Sequence, residues 1–207
     1  DDKFTKEPFR NTRNLNFKSN IFELSAHAEY NFIKAQKGHV YQIRGVRGVK
    51  HRDKNIYLSA GGGIVHFNPK GLYDNKWYAL QPLSTEGQGL VAGTKKYSRF
   101  TALLSVSGGF RLAINRYWGV GFELGMRKTF TDYMDDVSTY YPDPKIFNGN
   151  PVAEHLSNPS NPANVEYYCY PCIGEIRGDK TDKDAYMFGT FTVGYKVMQR
   201  KRSRSKF

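Results

Sequence analysis

Apolar and polar residues alternate with a period of two along five segments of this chain. In Ile21 to Phe32, Phe22, Leu24, Ala26, Ala28, Tyr30 and Phe32 alternate with Glu23, Ser25, His27, Glu29 and Asn31. A helix would scatter these two sets around its axis, so the spacing predicts a strand. Asn55 to Phe67 is rich in β-formers but holds Gly61, Gly62 and Gly63, the mark of a curved strand whose backbone approaches a neighbour. From Ser98 to Ala113, Phe100, Ala102, Leu104, Val106, Gly108, Phe110 and Leu112 share a face. Trp118, Val120, Phe122, Leu124 and Met126 continue the alternation after a short break, and Tyr186 to Val197 ends it with Met187, Phe191, Val193 and Tyr195 on one side. The third and fourth segments form a hairpin. Leu112 and Trp118 must share a face, so the connection through Ile114, Asn115 and Arg116 requires an odd number of residues.

Strands in soluble sheets run about five or six residues, whereas crossing a bilayer at a tilt takes about nine to eleven. The length of these segments favours an all-β fold, a small antiparallel transmembrane β-barrel, over a soluble sandwich. The faces agree, because the polar one carries small residues, glycine and charges of both signs in place of a lysine-rich solvated surface. Glu23, Glu29 and Glu123 are placed to pair with Arg99, Arg111 and Arg127 in a narrow lumen, which makes the barrel a filled plug. Bacterial single-chain barrels have an even number of strands, eight being the smallest common size. Five strands therefore imply that about three precede Asp1 natively. Residues 1–20 are then an inter-strand loop of one barrel domain, 21–130 and 186–197 its strands with their loops, and 131–185 a long Pro-rich loop.

Composition narrows this further. The 207 residues contain no apolar stretch near the ~18 residues of a membrane-spanning helix, which excludes helical membrane proteins. The opening Asp1-Asp2-Lys3 follows no signal-type apolar stretch and reads as a processed or missing start. The net charge is +12, and its position matters more than its size. Outer-membrane barrels keep short turns in the periplasm and long loops outside. The tight turn near Ile114 is then periplasmic, with residues 68–97 and 131–185 outside, and the C-terminal tail and residues 34–54 periplasmic. Lys34, Lys37, Arg44, Arg47, Lys50, Arg52 and Lys54 oppose Asp53 alone, giving +6, and Arg200, Lys201, Arg202, Arg204 and Lys206 in the tail 198–207 add +5. Eleven of the twelve excess charges fall at one end. These residues either anchor the barrel at anionic headgroups or dock an acidic periplasmic partner, and the long turn suits the second role. A nucleic-acid role for the tail needs a soluble fold with a stacking platform, which the pattern does not provide.

Candidate chemistry is sparse. Asp132, Asp135 and Asp136 lack the alternating oxygen ligands of a dedicated calcium loop and read as a solvated turn, or as side chains bonding loop backbone. Cys169 and Cys172 are the only cysteines and read as a local disulfide in an oxidising compartment. His27, His39, His51, His66 and His155 are scattered, and no hydrolase or metalloprotease motif is present, so the reading has no catalytic residues, metal or cofactor. Residues 68–89 (NPKGLYDNKWYALQPLSTEGQG) read as a packed lid or contact surface.

Three stretches taken together, FELSAHAEYNF (22–32), residues 67–89 with their NPKG, WYALQPL and TEGQG pieces, and RKTFTDYMDDVSTYY (127–141), resemble the small outer-membrane β-barrel family of Bacteroidetes that includes PorG. The resemblance covers roughly residues 20–141 and the final strand. It implies an eight-stranded integral outer-membrane protein, not an enzyme, acting in the type IX secretion system with the periplasmic ring proteins PorK and PorN. Outer-membrane lipid is its other partner, and neither a nucleic acid nor a small-molecule substrate is expected. The competing expectation is a porin-like or surface-binding barrel with no part in secretion.

Overall fold

The computed structural model describes residues 2–4, 6, 8–34, 53–115, 117–160 and 172–197. Five long strands, β1 (Lys18–Ile33), β2 (Lys54–Tyr73), β4 (Phe100–Ala113), β5 (Trp118–Thr129) and β6 (Ala185–Tyr195), hydrogen-bond in the order β1-β2-β4-β5-β6. Short β3 (Lys76–Ala79) folds back on the end of β2, with Leu72 opposite Trp77 and Lys70 opposite Ala79. The sheet is antiparallel. The Phe67 N–H donates to the Arg99 carbonyl and the Ala113 N–H to the Asp53 carbonyl, so β2 and β4 run in opposite directions. The Phe130 to Ala102 and Ile114 to Trp118 bonds do the same for β4 and β5. The Ile114 bond leaves three residues between its partners, the odd number that keeps Leu112 and Trp118 on one exposed face. Asn115 fixes this turn, its Oδ1 accepting from the N–H groups of Tyr117 and Trp118 at 2.9 Å.

Strand β2 runs past the expected boundary at Phe67, through Asn68-Pro69. Odd residues here direct their N–H toward β4, as Phe67 does, and β4 begins only at Phe100, so Pro69 withholds a donor where no ladder partner exists. The β2–β3 turn places Asp74 and Asn75 at φ 46° and 58°, the left-handed pair of a tight hairpin. Among the described residues, three short α-helices fall outside the strand pattern: α1 (Pro8–Arg13), α2 (Leu80–Leu83) and α3 (Pro151–Ser157). Residues 1–20, expected as irregular loop, thus contain a helix. In α3, Asn150 Oδ1 accepts from the N–H groups of Val152 and Ala153, and Pro151 occupies the first helical position.

The chain divides into two compact units. The first comprises residues 1–25, 63–103 and 128–185. Val65, Phe67, Leu80, Phe147, Ala153 and Leu156 are buried in it, alongside an unusual number of buried polar residues. The second comprises residues 26–62, 104–127 and 186–207, and its described part is strands and the turns that join them.

Candidate functional site

In the second unit the two faces of the sheet have the reverse of a soluble protein's polarity. On β4, Leu104 and Val106 are 58% and 52% exposed, while Ser105 and Ser107 between them are each 2% exposed. Strand β5 repeats this, with Phe122, Leu124 and Met126 exposed and Gly125 and Arg127 buried. Strands β1 and β6 expose Tyr30, Phe32, Met187, Phe191 and Val193 in the same phase, and expose much of the opposite phase as well, His27, Glu29, Thr190 and Thr192 included. Tyr195 gathers Tyr117 and Trp118 at the end of the β5–β6 ladder, with ring centroids 6.0 and 5.0 Å away.

The opposite face is lined by small residues with a few long polar ones lying across them. Tyr57 on β2 reaches over β4 to donate its hydroxyl to Glu123 Oε2 on β5 at 2.7 Å. Next-nearest strands lie about 9 to 10 Å apart, so this contact requires both a curved sheet and an intervening residue with no side chain. Gly109 supplies the gap, since a Cβ there would come within 2.7 Å of the tyrosine hydroxyl. Ser107 also donates to Glu123, at 2.7 Å, and bonds Ser59 at 2.6 Å. Arg111 places its guanidinium 4.1 Å from the Tyr57 ring centroid and grips Glu29 on β1 through two bonds of 2.9 and 2.7 Å. Arg127 lies over the Phe188 ring at 4.2 Å.

Of the six residues expected as a lumen ion-pair network, three meet on this face. Glu29 and Arg111 pair directly, and Glu123 is held by hydroxyls beside them. Glu23 accepts from Ser25 at 2.5 Å, and Arg99 donates to Asn68 at 3.5 Å.

The densest polar arrangement was not legible in the sequence and lies in the first unit. Arg177 and Glu86 form an ion pair at 2.8 Å with side chains 1% and 0% exposed. Arg177 also donates to the carbonyls of Ser157, at 3.1 Å, and Asp136. Glu86 accepts from the backbone N–H groups of Ser138 and Thr139 and from the Thr139 hydroxyl, at 2.7, 3.0 and 2.6 Å. Asp136, fully buried, accepts from the hydroxyls of Thr85 and Tyr97, and Tyr97 is stacked on Phe67 and Tyr133. Four chain segments are thereby fastened to one buried charge pair.

This corrects the reading of the Asp132–Asp136 stretch as a solvated turn. Asp132 and Asp136 are buried. Burial pushes the Asp135 carboxyl up to about 7, with the Asp184 charge adding to it. It pushes Asp136 up to about 6 against the pull of Arg177 and the two hydroxyl donors. The Tyr97 hydroxyl is raised well above the usual range by burial, then by Asp136. Asp135 does bond loop backbone, accepting from the Val137 N–H at 3.0 Å. Residues 68–89, read as a packed lid or contact surface, supply β3, α2 and the buried run Ser84–Gln88 of this node.

Lys34 and Lys54 are exposed beside the ends of β1 and β2. Lys37, Arg44, Arg47, Lys50 and Arg52, and Arg200, Lys201, Arg202, Arg204 and Lys206 in the tail, lie outside the described residues. Cys172 is disulfide-bonded, and the chain's other cysteine, Cys169, lies outside the described residues. No helix among the described residues is long and apolar enough to cross a membrane, which leaves crossing by strands open. Comparison of the chain with protein-family models, curated proteins and solved structures finds no match.

Proposed function

We propose that this chain is a non-enzymatic β-barrel protein of the bacterial outer membrane that docks a periplasmic ring of the type IX secretion machinery. The observation that carries the membrane part is the alternation on β4, where Leu104, Val106, Phe110 and Leu112 are exposed while Ser105 and Ser107 are buried. Exposing a row of large apolar side chains to water forfeits roughly 1.5 to 3 kcal/mol for each one that burial would have stabilised. Facing hydrocarbon removes that loss. Leu104 to Leu112 extends ~27 Å along a strand at ~3.4 Å per residue. A tilt of about 40° makes that roughly 21 Å of height, close to the ~25 Å apolar band of outer-membrane barrels. The Tyr117, Trp118 and Tyr195 group is of the kind that forms aromatic girdles at a membrane–water boundary. The native barrel is taken as eight-stranded, in keeping with the resemblance to the PorG-containing family.

The docking part is supported by that resemblance and by charge. Residues 34–54 and the tail bring +6 and +5, and under the topology that puts short turns in the periplasm both face the same compartment. PorK and PorN are the ring proteins the resemblance implies. Reversing the charge of Arg44, Arg47, Lys50 and Arg52 together is expected to release them in a pull-down while the barrel remains heat-modifiable on gels. Retention of the ring by this variant would rule out docking through that segment.

One observation favours a second reading, a porin-like barrel without a secretion role. The second unit contains an open depression of about 330 Å³ lined by Asn55, Arg111, Gly119, Gly121, Thr192 and Gly194 among others, so side chains do not cover this stretch of its face. Stable ohmic conductance in a planar bilayer would favour that reading, and its absence would favour the plug.

A further inference from the structure

In the first unit, the outward face of the β1–β2 ladder changes polarity in steps. The register is fixed by Gly61 lying against His27, Gly63 against Ser25, and the Leu72 N–H donating at 2.8 Å to Asn16 Oδ1. Continued along both strands, that spacing puts Leu24 level with Ile64, Phe22 with His66, Asn20 with Asn68 and Lys18 with Lys70, and the Phe22–His66 ring contact agrees with it. Leu24 and Ile64 are exposed and apolar. The next row is aromatic, His66 lying between Phe22 and Phe100 with ring centroids 6.3 and 4.6 Å away. A row of amides follows, then a row of two ammonium groups. From Leu24 to Lys18 the chain advances ~20 Å along the strand. That is the sequence of environments met on leaving hydrocarbon through the boundary region into headgroups.

Like charges level with each other on one face of a sheet repel unless an anion or a ring intervenes. Lys18 turns its ammonium over the Trp77 ring, 3.9 Å from the centroid. Lys70 has no carboxylate partner among the described residues, and neither does Lys76 next to Trp77. An anion between the two lysines would remove the repulsion, and an indole beside it suits a site that is apolar at one end and wet at the other.

We propose that Lys18, Lys70 and Trp77 seat the phosphate-bearing headgroup of an anionic membrane lipid. This rests on the reading of the exposed face as lipid-facing, and it adds a chemical preference at one place on that face. The occupant is a lipid because the lysine row continues an apolar and aromatic face, not a closed pocket that would take a free anion.

The test uses the full chain in mixed micelles, with Trp77 as the only tryptophan and, separately, Trp118 as the only tryptophan. Each is titrated with phosphatidylglycerol or phosphatidylcholine brominated near the headgroup. Quenching of Trp77 is expected at lower mole fraction with phosphatidylglycerol, by roughly fivefold for each lysine engaged. The preference should vanish in the K18Q/K70Q variant and persist in K18R/K70R. Trp118 should respond to each lipid identically in every variant, because Lys18 and Lys70 lie at the opposite end of the strands. Quenching of Trp118 without any preference at Trp77 overturns the headgroup site and leaves the membrane reading intact, whereas no quenching of Trp118 by either lipid removes both. A saturable response of Trp77 to millimolar inorganic phosphate in uncharged micelles would overturn the lipid as the source of the anion.

Discussion

Arg177 does more to organise the first unit than its single charge suggests, because Glu86, the Ser157 carbonyl and the Asp136 carbonyl all converge on it. Removing one partner of a buried pair leaves the other charged and unsolvated, at a cost of about 3 to 5 kcal/mol. Arg177→Met should therefore lower stability by that order in denaturant titration. The combined Glu86→Gln and Arg177→Met variant should recover part of the loss, since no bare charge then remains. A pH dependence follows from Asp135 and its neighbours Asp132, Asp136 and Asp184. Their carboxyls are all raised by burial, Asp135 to about 7 and Asp136 to about 6, so the folded unit holds protons that the unfolded chain releases near pH 4. Stability is then greatest below pH 4 as far as these groups are concerned, and falls as pH rises toward about 7. Arg177, Lys183 and Lys128 are the cations facing them and reduce the fall without reversing it. Asp135→Asn should flatten the decline between pH 4 and 7 in thermal melts. An unchanged slope would show that Asp135 is ionised throughout.

Close approach between strands is carried by glycine. A Cβ on Gly61 would sit 2.1 Å from the Ala26 carbonyl oxygen, and one on Gly125 would meet the Phe188 ring at 2.5 Å and the Ser107 Cβ at 2.7 Å. In the first case the obstacle is backbone, which cannot rotate aside. Gly61→Val is therefore expected to weaken the β1–β2 pairing by at least the ~1 to 3 kcal/mol of an overpacked core site. It should unfold at lower denaturant concentration than Gly149→Val, which meets no atom within 4 Å, although valine at the φ of 77° there is itself strained. The strands were legible in the sequence because a period of two survives any tertiary context. β1, β4, β5 and β6 fall within a few residues of their predicted bounds, and only β2 runs well beyond, through a proline that ordinarily ends a strand. The Glu86–Arg177 node was not legible. Its partners are 91 residues apart and belong to segments with no periodicity, and a glutamate in Ser84–Gln88 looks the same in sequence whether it is solvated or buried. The pairing of Glu29 with Arg111 was accessible through face assignment alone, whereas Tyr57 as the partner of Glu123 depends on curvature over Gly109 that no spacing rule reports.

At the scale of the molecule, the proposed lipid-facing sheet and the two basic segments form one reading, in which eleven excess positive charges lie on one side of the membrane. The proposed secretion role rests on the resemblance of three sequence stretches and on that charge, and the charge-reversal pull-down tests it separately. The central claim is the orientation of the sheet toward lipid. Spin labels placed one at a time from Leu104 to Leu112 in protein reconstituted in vesicles read this directly, through their relaxation by oxygen, which partitions into lipid, and by a water-soluble nickel complex. The account predicts a period of two, with oxygen dominating at 104, 106, 108, 110 and 112 and with protection from oxygen at 103, 105, 107 and 109. Nickel access at the even positions equal to or greater than oxygen access would place that face in water and contradict the membrane reading.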